Sequence, residues 1–100
     1  MRIAITGSGG LGGYFGARLC HGGADVNFIA RGRHLEAMRG EGLRVEGPSP
    51  IHIPHVQVTD NPDKVGIVDV VMLCVKLWDT DAALRQIRCM VGTGTTIFSF

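Results

Sequence analysis

Three short runs of near-continuous apolar residues, rich in β-branched side chains, stand out along the chain at residues 3–6, 26–30 and 67–75, with a fourth at 95–100. Continuous apolarity is what strands show when both faces of their sheet are covered, whereas a strand with one wet face alternates. Between the first two runs lies GLGGYFGARLCHGGAD, in which Leu11, Phe15 and Leu19 recur every four residues and Gly22-Gly23 supplies a stop. Strand, helix and strand within about 30 residues predict a βαβ unit.

A weaker helix is expected over residues 34–41, with Leu35 and Met38 inward and Gly40 and Gly42 eroding its end. Residues 43–59 contain GPSP and then IHIPHVQV, which alternates apolar and polar positions and carries Pro54; this predicts a peripheral hairpin or edge strand. A further helix is expected over residues 79–91, capped by Asp79 or Thr80, with Ala83, Leu84, Ile87 and Val91 as its apolar stripe. Alternation of this kind predicts an α/β domain of the Rossmann type, a doubly wound, mostly parallel sheet with flanking helices. No internal repeat or low-complexity segment interrupts it.

One hundred residues at 45% hydrophobic content suffice for one core and one domain. Ten Lys and Arg against nine Asp and Glu leave a formal charge of +1, and neither sign gathers into a long run. That argues against nucleic-acid and membrane partners and in favour of a small ligand. Cys20, Cys74 and Cys89 are odd in number, dispersed and set among apolar neighbours, so they are expected as small buried hydrophobes in a reducing compartment. The first apolar run breaks at Gly7, too early for a signal-peptide core, and no run approaches the ~20 residues of a membrane span, so a cytoplasmic location is expected.

Residues 7–12, GSGGLG, match G-x-G-x-x-G at Gly7, Gly9 and Gly12, between a predicted strand and a predicted helix. The bare pattern is weak in a chain with 15 glycines; its place in the βαβ unit strengthens it. Gly7 permits the tight turn, Gly9 lets a pyrophosphate reach the backbone, and Gly12 lets helix and strand pack closely. Gly13, Gly16 and Ala17 extend that small surface. With Ser8, Gly10 and Leu11 completing the loop, the helix N-terminus offers free N–H groups and roughly +0.5 of effective charge to phosphates. No Gly-Lys-Ser/Thr follows, which excludes a Walker-type loop and leaves dinucleotide binding.

In the NAD form of this motif a carboxylate about 20 residues past the loop accepts from the adenosine ribose 2′-OH. Here the residue that emerges after Ala30 is Arg31. A guanidinium can make two charge-assisted bonds to a 2′-phosphate, each worth roughly 1.5–3 kcal/mol. That corresponds to a preference for NADP over NAD of about tenfold to more than a hundredfold. Arg33 and His34 lie in the following turn with no assigned role. The run at 67–75 delivers VKLWD, placing Lys76 at the edge of the sheet where ligands bind, and Trp78 is expected to cover the core edge.

End to end, the chain resembles the N-terminal NADP-binding domain of the ketopantoate reductase (2-dehydropantoate 2-reductase) family, through IAITGSGGLGGYFGARL, FIARGRHLEAMRGEGLRV and VDVVMLCVKLWDTDAAL with matching spacing. The resemblance implies that Gly7 to Gly12 hold the pyrophosphate, Arg31 the 2′-phosphate, and that Lys76 contacts the cofactor near the substrate. It also implies reduction of the ketone of 2-dehydropantoate to pantoate with NADPH, on the route to pantothenate and coenzyme A. Members continue past a strand like TTIFSF into a Gln-Asn-Gly turn and a helical domain with the catalytic lysine and a glutamate. A chain ending at Phe100 is therefore expected to be the truncated cofactor domain, residues 1–100, either a fragment of the enzyme or a shortened relative, without catalytic residues of its own and inactive alone. Apolar surface left at the last strand is expected to favour association, a homodimer being one form of it.

Two rivals stand beside this reading: an NADP reductase for another 2-oxo acid, and a module that senses NADP(H) without turning it over. A lysine beside the nicotinamide favours the enzyme. His52 and His55, three apart in an alternating segment, point to opposite faces, and no metal site is expected. Asp79 and Asp81 read as charges at a helix N-terminus, and no Ser-His-Asp or Cys-His arrangement is found.

Overall fold

The computed structural model describes residues 1–7, 11–45, 50–74, 84–85 and 87–99, the side chains of 11, 12 and 99 excepted. The chain runs β1 (Arg2–Thr6), α1 (Leu11–His21), β2 (Asp25–Ile29), α2 (Gly32–Glu41), β3 (Leu43–Val45), β4 (Ile51–Ile53), β5 (Gln57–Thr59), β6 (Val70–Leu73) and β7 (Thr96–Ser99). Single 3-10 turns occupy Pro62–Lys64 and Arg88–Met90. Five strands form one parallel sheet in the order β5-β2-β1-β6-β7, and β3 and β4 form a separate antiparallel hairpin.

This is the α/β, Rossmann-type parallel sheet expected from the continuous apolar runs, and it is buried on both faces. Ile3, Ile5, Val26, Phe28 and Met72 pack on one side against Ala17 of α1, Met38 of α2 and Leu43 and Ile51 of the hairpin. Ala4, Ile29, Val71 and Leu73 pack on the other against Val65, Val68, Ile87 and Met90. Each strand thus feeds two cores with alternate residues, which is why β1 and β2 are apolar through their centres except at Asn27.

α1 lies unusually close to the sheet. A Cβ built on Gly16 would overlap the Phe28 ring and stand 2.9 Å from Ile5 Cδ1. Gly13 and Ala17 are buried beside it, so the small residues of α1 form the contact surface and the large ones opposite fill it. The far edge of the sheet is tied by Arg2, whose guanidinium donates to Val65 O at 2.6 Å and Ile67 O at 3.0 Å. Its backbone N–H donates to Asp69 Oδ2 at 2.7 Å.

Several boundaries differ from expectation. The third apolar run starts pairing only at Val70, and Ile67 is 57% exposed. The backbone of Asp69 already bonds to Arg2 O and accepts from Thr96, which anchors the strand start beyond Ile67. Segment 43–59 supplies both a hairpin and an edge strand, since β5 joins β2 in parallel after Pro54. α2 begins at Gly32, earlier than residue 34.

Residues 79–83 and 86 of the last expected helix lie outside the described residues, as do its candidate cap and Ala83. The stripe is corrected in part: Ile87 is buried, but Leu84 is 41% exposed and Met90 is fully buried. The final turn winds as a 3-10 helix, in which residues three apart eclipse, so Met90 follows Ile87 inward.

Gly16→Ala tests the close approach. Alanine improves helix propensity by about 1 kcal/mol, whereas forcing a methyl into a filled core costs about 1–3 kcal/mol. Overlap with a ring inside the core puts this case at the upper end. A lower urea midpoint is expected, recovered in part when Phe28→Leu is added.

Candidate functional site

The strand order reverses at β1: β2 lies on one side of it and β6 on the other. In open α/β sheets this is where the carboxyl ends of the strands part and leave a crevice for ligands. The register pairs Thr6 with Ile29 and with Leu73, and Cys74 N donates to Thr6 O at 2.9 Å. Gly7, Ala30 and Cys74 therefore leave the sheet together along one edge.

Gly7 has φ 77°, a left-handed conformation that an L side chain adopts only with strain of roughly 1–2 kcal/mol. It turns the chain from β1 toward α1, which opens at Leu11. Ser8, Gly9 and Gly10 lie outside the described residues. Leu11 and Gly12 are the first two helical residues, so their backbone N–H groups are among the donors a helix cannot satisfy internally. No acidic side chain stands in the first turn to occupy them.

Arg31 follows β2 as the N-cap of α2, with extended backbone and no side-chain cap bond. It is exposed, and among the described residues nothing pairs with its guanidinium. The first turn of α2 contains Arg33 and His34 and no acidic residue. Cations at the positive end of a helix dipole are unfavourable by about 0.3–1 kcal/mol each. Lys76 and Trp78 lie outside the described residues, as do Asp79 and Asp81; β6, which leads to them, ends at Leu73. Thus the structure brings Gly7, the start of α1 and Arg31 to one edge. Thr6 and Cys74 flank the same crevice and were not singled out from sequence; their only signal is adjacency to Gly7 and to the VKLWD segment.

The other candidates lie elsewhere. His52 is exposed, with Nε2 3.1 Å from Glu41 O, and His55 is exposed in the bend after β4. Among the described residues no group of three or more His, Cys, Asp or Glu could hold a metal, and no helix is long and apolar enough to cross a membrane.

The profile of the family described as ketopantoate reductase PanE/ApbA matches residues 3–100. The chain belongs to that family. It is 35% identical over 98 residues to the 2-dehydropantoate 2-reductase of Mesorhizobium japonicum, covering 97% of this chain and 30% of that protein. The crystal structure of 2-dehydropantoate 2-reductase from Geobacter metallireducens GS-15 superposes with a TM-score of 0.93 at 38% identity, over 100% of this chain and 33% of that one. D-mandelate dehydrogenase with NADH and anilino(oxo)acetate shares the fold, with a TM-score of 0.87 at 23% identity over 100% of this chain and 33% of that one. This ketopantoate reductase family chain spans about 30% of the length of the curated relatives it matches.

The three cysteines are half-buried thiols outside any disulfide, rather than fully buried as expected. Burial raises the Cys20 thiol above its ordinary pKa, and the charge of Asp25 adds to this. Burial alone raises Cys74, and burial followed by a hydrogen bond and charge from Asp63 raises Cys89. A raised folded-state pKa means that deprotonation favours the unfolded chain. The urea midpoint is expected to hold below the unfolded thiol pKa of about 8.5 and to fall as pH rises above it. Substituting all three by Ala is expected to flatten that fall.

Proposed function

We propose that these residues form the cofactor-binding part of an NADPH-dependent 2-dehydropantoate 2-reductase, reducing a 2-oxo acid to its hydroxy acid on the route to pantothenate and coenzyme A. The observation that carries the cofactor choice is the cationic start of α2. Arg31 caps it with no side-chain partner among the described residues, no carboxylate stands in its first turn, and it lies beside the edge where β1 ends at Gly7. The names of the relatives support the reaction class.

A nicotinamide dinucleotide bound here supplies the hydride. The chain's own residues hold and orient it. Gly7, Ser8, Gly9, Gly10, Leu11 and Gly12 would hold the pyrophosphate, with the positive end of α1 behind it. Arg31 would hold the 2′-phosphate through charge-assisted bonds. Lys76, following β6, would contact the cofactor near the substrate. The reaction on this reading is cytoplasmic, and the catalytic residues belong to a helical domain outside residues 1–100. The half-exposed Ile97 and Phe98 of β7 support an association surface there, a homodimer included.

Arg31→Ala is expected to raise the NADPH dissociation constant about tenfold to a hundredfold and to leave NADH binding nearly unchanged. Fluorescence titration with each cofactor measures this, and equal losses for both would sink the assignment. Residues 1–100 alone are expected to bind NADPH weakly and to give no loss of NADPH absorbance when 2-dehydropantoate is added.

A further inference from the structure

β2 is apolar between its first residue and its end except at its middle position, Asn27, which is only 8% exposed. A valine would suit both strand and core, so a buried amide here calls for an explanation. Its protein partners are poor: Nδ2 stands 3.4 Å from Ile3 O and 3.5 Å from Asp25 Oδ1, at the outer limit of a hydrogen bond. Asn27 Oδ1 accepts from none of the described residues and is not sealed off. It opens on a groove of about 210 Å³ lined by Asn27, Gln57, Val58, Thr59, Lys64 and Val65.

The walls of the groove are chemically unlike. Gln57 is paired in register with Asn27, and its Nε2 donates to Asp25 Oδ1 at 2.7 Å and to Val26 O at 3.1 Å. Both amides therefore direct their N–H groups toward Asp25, whose carboxylate polarises them and strengthens their oxygens as acceptors. Facing them, the turn Pro62–Lys64 presents Lys64, whose ammonium has no partner among the described residues. Thr59 Oγ1 accepts from Asn61 N at 3.1 Å, which leaves its hydroxyl proton to donate.

An anion alone would face two amide oxygens, and a cation or metal ion would face Lys64. The volume is below the roughly 300–1,000 Å³ of sites for larger ligands, which excludes a nucleotide. We propose that this groove binds a small zwitterion of amino-acid size. Its ammonium rests on Asn27 Oδ1 and Gln57 Oε1, and its carboxylate on Lys64 Nζ and the Thr59 hydroxyl. Asn27 belongs to the sheet face opposite α1, on the side of Ala4 and Ile29, so the proposal does not depend on the cofactor reading.

The test is a titration of the isotope-labelled chain with glycine, acetate and methylammonium, following the side-chain amide resonances of Asn27 and Gln57 by NMR. Glycine is expected to shift both saturably in the millimolar range, and the two half-molecules to bind at least about tenfold more weakly. Lys64→Met is expected to weaken glycine binding by a similar factor. Asn27→Val is expected to abolish it while leaving the thermal midpoint unchanged or higher, because an under-satisfied amide is removed. Absent or unsaturable shifts with glycine would overturn the proposal, as would acetate matching glycine. So would an Asn27→Val protein that is destabilised, which would make the amide a part of the fold.

Discussion

The distance between α1 and the sheet is set at Gly16, where the ring of Phe28 and the Cδ1 methyl of Ile5 occupy the space a side chain would need. With the helix seated this deeply on β1 and β2, it opens at Leu11, beyond the carboxyl end of β1 and the left-handed Gly7. A bulkier contact surface would lift the helix and carry its unpaired N–H groups away from the crevice. The packing of a few small residues thus decides whether the N-terminus of α1 can serve as an anion site.

The two edges of the sheet are finished in opposite ways. At the amino ends Arg2 donates to two carbonyls and to Asp69 through its backbone, and Gln57 and Asn27 turn their amide N–H groups toward Asp25. The Arg2–Asp25 pair itself, at 3.7 Å and nearly half exposed, adds little; the charge-assisted bonds to Val65 and Ile67 carry the anchoring. At the carboxyl ends the first turn of α1 holds no acidic side chain, and the Arg31 guanidinium has no partner among the described residues. Cations without a partner among the described residues at the second edge are what an anionic ligand would need there.

Much of this was legible in the sequence because it depends on local pattern. Ile3 to Ile5 and Val26 to Ile29, with their small-residue helix between, specify a βαβ unit without reference to the rest of the chain. The glycine loop and Arg31 could be placed at the ligand edge for the same reason, since each directly follows a strand. The segment 43–59 was less determinate: strands of three residues carry too few alternations to name a partner, and only burial against α1 and β2 divides them into a hairpin and an edge strand.

What the sequence determined by itself was the class of fold, the position of the glycine turn and the sign of the charge at the end of β2, all encoded within a few residues of one another. Tertiary structure alone decided that pairing in β6 begins at Val70 and leaves Ile67 in water, and that a 3-10 turn carries Met90 inward while Leu84 stays exposed. It also decided that Asn27 faces a groove made by Gln57 and Lys64, 30 and more positions away in the chain. Those outcomes depend on which distant backbone groups and side chains arrive first at a shared surface. Hydrophobic pattern records that a residue will be buried somewhere; contacts across the fold select the place.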